Sequence, residues 1–161
     1  MPAKTILRRV YFSLGSNLGD RARYLRDGVR DVARDEPHRV SRVYLTEPVG
    51  GVSQDDFWNV VLEVTTSAPP EELLNRLRAA EARAERLREV RWGPRTLDVD
   101  LVRWEDEDSE DPELTVPHPR YRERRFVLAP LRELRPEWVS DEDVERAEGE
   151  VHILGTLEDV Q

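Results

Sequence analysis

Six segments of this chain carry regular apolar spacing. The order of their periods (two, 3.6, two, two, 3.6, two) leaves few folds open. Val10, Phe12 and Leu14 alternate with Tyr11 and Ser13, as a strand requires, and GSNLGD follows as a turn. From Asp20 the apolar residues fall at Ala22, Leu25, Val29, Val32 and Ala33, the stripe of a helix that stops before Pro37. Residues 40–45 and 57–66 both read as strands, separated by the polar stretch TEPVGGVSQDD. SAPPEELLNRLRAAEARAERLRE then opens with proline, places Glu71 and Glu72 where a helix dipole favours anions, and repeats Leu73, Leu74, Leu77, Ala80, Ala84 and Leu87 along one side. After VRWGPR a final strand is expected from Thr96 to about Arg103.

Strand, helix, strand, strand, helix, strand is the split βαββαβ order of a ferredoxin-like α+β fold, with helices packed on an antiparallel sheet. The 161 residues suit a single domain over 1–161, with no repeat or internal linker. FVLAPLREL should add a short helix or strand, and the acidic tail from Ser140 is expected to be partly mobile. With no cysteine, neither a disulfide nor a thiolate metal site can form, and His38, His118 and His152 are too scattered for a histidine cage. Any metal is therefore held by oxygen. The N-terminus lacks a signal-like apolar run, and no stretch approaches the roughly 18 apolar residues of a membrane span, so a cytoplasmic protein without a membrane partner is expected.

A net charge of −9 argues against nucleic acid as a partner. The acids are unevenly spread: residues 105–113 hold seven and no base, and residues 133–161 hold ten against Arg135 and Arg146. Two basic segments stand out in the remainder. Residues 83–95 contain five arginines against Glu85 and Glu89, and residues 120–125 contain four against Glu123. Segments this compact suit a small polyphosphate better than a long polyanion.

Asp98 and Asp100 sharpen that reading. Residues two apart in a strand project from the same face about 6.6 Å apart along the chain, which sets these carboxylates side by side while Leu97, Val99 and Leu101 face the core. Two carboxylates about 5 Å apart repel by roughly 1–3 kcal/mol, so something positive belongs between them. Oxygen donors alone favour Mg²⁺, which completes its shell with water and phosphate. A solvated face neutralised by Arg91 or Arg95 is the plainer alternative. Against it stand Arg86, Arg88, Arg91 and Arg95 just upstream, guanidinium groups that match phosphate oxygens bidentately. Phe57 and Asn59 share a strand face and offer a ring and an amide to a flat heterocycle. GSNLGD could cradle a ligand on its amides but serves equally as a plain helix start. In LTVPHPRYRERRF, two prolines stiffen a segment presenting His118, Arg124 and Arg125.

In order, GSNLGD, FWNVVLEV, RWGPRTLDVDL and LTVPHPR…RRFVLAPL resemble the 6-hydroxymethyl-7,8-dihydropterin pyrophosphokinase family of folate biosynthesis, over residues 10–134. The resemblance implies an enzyme that moves a pyrophosphoryl group from ATP to a pterin and releases AMP. It implies two Mg²⁺ ions bound with ATP by Asp98 and Asp100, and Arg86 and Arg95 steadying the transferring group. Glu81, Arg88, Trp92, Leu101, Thr115, His118 and Arg124 would line the ATP side, and Thr46, Val49, Phe57, Asn59, Trp92 and Phe126 the pterin side. A monomer is expected. Glu85 departs from the family pattern, which has glycine there, and the stretch from Arg88 to Trp92 is one residue shorter. The alternative is a non-catalytic ferredoxin-like module for a small ligand or RNA; the acidic charge and the lack of an aromatic-rich RNA-reading strand speak against RNA.

Overall fold

The structure is a computed structural model that describes residues 6–17, 19–46, 56–86, 97–105, 109–111, 114–116 and 121–160, with backbone alone at 86, 109–111 and 114–116. Strands β1 (Arg8–Ser16), β2 (His38–Val40), β3 (Val43–Thr46), β4 (Phe57–Thr66), β5 (Asp98–Trp104) and β8 (Val151–Gly155) make one sheet. Its order is β5-β1-β4-β3-β8, with β2 also on β4, and every pairing is antiparallel. Helices α1 (Arg21–Ala33) and α2 (Pro70–Arg86) follow β1 and β4. The order β5-β1-β4-β3 is the sheet that the βαββαβ reading requires.

Each face of the sheet has its own core. Val10, Phe12 and Leu14 of β1, Val60, Leu62 and Val64 of β4, and Leu97, Val99 and Leu101 beside and on β5 pack against Leu25, Val29 and Val32 of α1 and Leu73, Leu77 and Ala80 of α2. Full burial of such a side chain contributes roughly 1.5–3 kcal/mol, so this alternation sets the register. At Gly28 an added Cβ would lie 2.9 Å from Leu97 and 3.0 Å from Leu14, so glycine lets α1 approach the sheet closely. The opposite face carries Tyr11, Val61 and Val102 against Val127, Leu128, Leu131 and Leu134 of α3 (Arg125–Leu134). FVLAPLREL is therefore helical, and Pro130 sits within it.

Other expectations are corrected in detail. GSNLGD is not a turn from its first residue: β1 runs through Ser16, and α1 begins only after Asp20, whose side chain accepts from the Arg23 amide. Residues 40–45 are not one strand. Ser41 interrupts them, its amide donating to the Val61 carbonyl and its hydroxyl accepting from the Val61 amide, each at 2.9 Å. A side-chain bond thus replaces a ladder bond and divides β2 from β3. Within the acidic insert, β6 (Ser109–Asp111) pairs antiparallel with β7 (Leu114–Val116), which lies just beyond the insert. From Ser140 the chain holds α4 (Asp141–Arg146), started by a Ser140–Asp143 capping box, and the edge strand β8.

Candidate active site

The candidate residues lie on the α3 side of the sheet. Opposed residues of antiparallel strands point to one face. Gly15 pairs with Asn59 on one side and Asp98 on the other, while Ser13 pairs with Val61 and Asp100. Phe57 and Asn59 pair in turn with Thr46 and Tyr44 of β3. The four strands therefore bring Asp98, Asp100, Ser13, Gly15, Asn59, Phe57 and Thr46 onto one surface, beyond the apolar cluster under α3. Two strand spacings, about 10 Å, separate the acids from Asn59.

The acids keep the strand alternation: Val99 is 3% and Leu101 5% exposed in the α1–α2 core, whereas Asp100 is exposed and Asp98 half-buried. Val102 falls on the α3 side by the same alternation, and the bulge after Leu101 keeps Arg103 on that side and returns Trp104 to the α1–α2 core. Between the two aspartates, the Val99 amide donates to Glu81 Oε2 at 3.0 Å, so α2 grips β5 at its outer edge. That bond engages one oxygen of Glu81, a residue the resemblance puts on the ATP side. Leu101, expected there too, turns its side chain into the core on the opposite face from the aspartates.

Asn59, 3% exposed, meets the requirement for burial partners: Nδ2 donates to Thr46 Oγ1 at 2.9 Å and to the Tyr44 carbonyl at 3.4 Å. Its Oδ1 lies 2.7 Å from where a Cβ on Gly15 would stand, with the Phe57 ring at 3.9 Å from the same point. Gly15 lets the amide lie across β1. Sequence reasoning missed Gly15 and Ser13 as parts of this surface; the signal was a glycine continuing an alternating strand where a turn was assumed.

Farther along the same face a polar network closes the sheet. Arg39 holds Glu63 bidentately at 2.9 and 2.7 Å, Tyr11 donates to Glu63 at 2.6 Å, and Arg135 donates to the Tyr11 hydroxyl at 2.7 Å. Burial pushes the Tyr11 phenol up, and its bond to Glu63 pushes it further. Burial also works to raise the Glu63 carboxyl, but the bonds from Arg39 and Tyr11 outweigh it and hold the group below the ordinary carboxylate value. Tyr44, which donates to Glu133 at 3.0 Å, is pushed up to about 12 by burial and by the negative charge of Glu133.

Arg124 and Phe126 stand at the start of α3, with the guanidinium 5.8 Å from the ring centroid and Phe126 packed against the cluster on the site's side of the sheet. Val49, Arg88, Trp92, Arg95 and His118 lie outside the described residues; Arg86 and Thr115 are placed by backbone alone, in α2 and β7.

The donor set fits Mg²⁺. Both converging side chains are carboxylates, and no group of three or more His, Cys, Asp or Glu forms an all-protein cage among the described residues. One or two carboxylates, with the remaining positions left to water and phosphate, is the usual Mg²⁺ arrangement.

Residues 11–136 match the model of the family described as 7,8-dihydro-6-hydroxymethylpterin-pyrophosphokinase (HPPK). The chain is similar to proteins named 2-amino-4-hydroxy-6-hydroxymethyldihydropteridine pyrophosphokinase. With that of Bacillus subtilis it is 47% identical over 127 residues, 77% of this chain and 76% of the relative. With that of Methylorubrum extorquens it is 40% identical over 136 residues, 83% and 86% of the two. With that of Pseudomonas aeruginosa it is 37% identical over 135 residues, 82% and 83%. A matched span holding the aspartate pair, the Asn59 face and both crossover helices leaves one conclusion: the chain belongs to the 7,8-dihydro-6-hydroxymethylpterin-pyrophosphokinase family.

Proposed function

We propose that the surface bounded by Asp98, Asp100, Asn59 and Phe57 is where this chain moves a pyrophosphoryl group from ATP to the hydroxymethyl group of 6-hydroxymethyl-7,8-dihydropterin, the reaction of its family in folate biosynthesis. The observation that carries the reading is the row Asp98–Gly15–Asn59, which puts oxygen donors for a cation and an amide for a heterocycle about 10 Å apart on one rigid sheet. The pterin lies against Phe57 with its edge at Asn59, flanked by Thr46 and, in the resemblance, by Val49, Trp92 and Phe126. The substrate hydroxyl oxygen attacks the β-phosphorus in line; the bond from that phosphorus to the oxygen bridging to the α-phosphate breaks, AMP leaves, and the hydroxyl proton passes to solvent.

Asp98 and Asp100 hold Mg²⁺, two ions in this proposal, which when bound supplies positive charge to the phosphate oxygens. Arg86 and Arg95 are assigned to the transferring group, and Glu81, Arg88, Trp92, Thr115, His118 and Arg124 to the ATP side. Sheet residues do the positioning: the Val99–Glu81 bond holds the acids' spacing, and Thr46 holds Asn59. We further propose a cytoplasmic monomer without a nucleic-acid partner; no described helix is long and apolar enough to cross a membrane. Membership of a transferase family favours catalysis over the non-catalytic module. The test is AMP formation dependent on both Mg²⁺ and the hydroxymethylpterin. Asp98→Ala and Asp100→Ala should each lose transfer by at least about a thousandfold while circular dichroism and Tm stay near those of the parent; near-normal turnover in either variant would refute the assignment.

A further inference from the structure

Arg21 is the first residue of α1, where a positive charge has the wrong sign for the helix dipole, and the first turn holds no acid. Its side chain crosses to the start of β4. Nη1 donates to the Asp56 carbonyl at 2.8 Å, and the guanidinium lies 4.6 Å from the centroid of the Trp58 ring. These two contacts bracket Phe57. The Asp56 carbonyl belongs to the planar peptide that links Asp56 to Phe57, so fixing its direction fixes the peptide from which the Phe57 side chain departs. Trp58 points to the opposite, α1–α2 side of the sheet and packs on that core. The guanidinium thus holds the strand from behind, while Phe57 and Asn59 face the site. The pairs Thr46–Phe57 and Ser16–Trp58 complete the frame.

We propose that Arg21 is a positioning residue for the pterin end of the site, acting through the Asp56 carbonyl and the Trp58 ring to set the pose of Phe57. The inference rests on the proposal that Phe57 takes the heterocycle. One planar guanidinium can donate to the carbonyl and lie over the indole at once; lysine keeps a charged donor and loses the planar group. Both contacts of Arg21 lie at the start of β4, two strands from the aspartate pair on β5, so its effect falls on one substrate.

The experiment compares Arg21→Ala, Arg21→Lys and Phe57→Ala by steady-state kinetics with each substrate varied in turn, by fluorescence titration of hydroxymethylpterin in the presence of Mg²⁺ and a non-hydrolysable ATP analogue, and by thermal melts. Arg21→Ala should raise the KM and Kd for the pterin about tenfold while KM for ATP stays within about twofold, with Arg21→Lys intermediate. The inference is overturned if Phe57→Ala weakens pterin binding and Arg21→Ala does not. It is equally overturned if both KM values rise together with a fall in Tm, as a merely structural role would produce. Should Arg21→Ala fail to fold, Arg21→Lys carries the comparison under the same criteria. If Phe57→Ala leaves pterin binding unchanged, the reading of this face fails, and the role of Arg21 fails with it.

Discussion

At Gly15 the absence of a side chain decides where an amide lies. Asn59 Oδ1 occupies the space a Cβ would claim, and its Nδ2 is tied to Thr46. Gly15→Ala should therefore push the Asn59 amide off its Thr46 bond, raising the pterin KM severalfold and costing about 1–3 kcal/mol of stability by urea melt. An unchanged KM would show that Asn59 does not read the substrate. A neighbouring test removes the acceptor: Thr46→Val leaves a buried Nδ2 short of its 2.9 Å bond and should cost about 1–3 kcal/mol. Asp98 and Asp100 were legible as a same-face pair from spacing alone, because a strand's period of two is a local property. The role of Gly15 was not, since it depends on a partner 44 positions away in the sequence.

Between elements, carboxylates tie α3 to the sheet. Glu63 of β4 binds Arg39 of β2 and Tyr11 of β1, and Arg39 also donates to the Leu134 carbonyl at 3.2 Å. Glu133 of α3 accepts from Tyr44 and from the Arg42 side chain and amide. The Glu63 carboxyl is held below its unfolded value, so its contribution is full above the unfolded pKa of about 4.3 and is lost as pH falls through the lower folded value. Stability measured by urea melts should fall below about pH 4.3 in the parent, and the gap between parent and Glu63→Gln should close there. A gap that stayed constant with pH would remove Glu63 from that account. For Tyr44 the sign reverses: the raised phenol favours the folded state fully below about pH 10, and that contribution is lost as pH climbs through about 12. Tyr44→Phe should flatten this alkaline decline. The helices α1 and α2 were readable in the sequence because their stripes repeat within a few residues, whereas the break at Ser41 was not, because it comes from a bond to Val61.

For the whole molecule, β8 is what the acidic tail adds. It pairs with β3 as the sheet's edge, and behind it Leu157 is buried in the α1–α2 core while Arg26 donates to the Leu157 and Val160 carbonyls at 3.0 and 2.6 Å. Removing residues 150–161 should lower Tm by several degrees and promote association, because the edge of β3 loses its ladder partner and the core loses Leu157. An unchanged Tm and mass distribution would show that the sheet is complete without the tail. The sequence by itself determined the alternating core, the two crossover helices, the βαββαβ order and the shared face of the aspartates, because each follows from periodicity over a handful of neighbouring residues. Only the tertiary structure decided that Gly15 joins Asp98 to Asn59, that Arg21 grips the start of β4, and that an acidic tail closes the sheet as β8. Those facts are pairings between distant segments, fixed by which surfaces can be buried together once the strands have met.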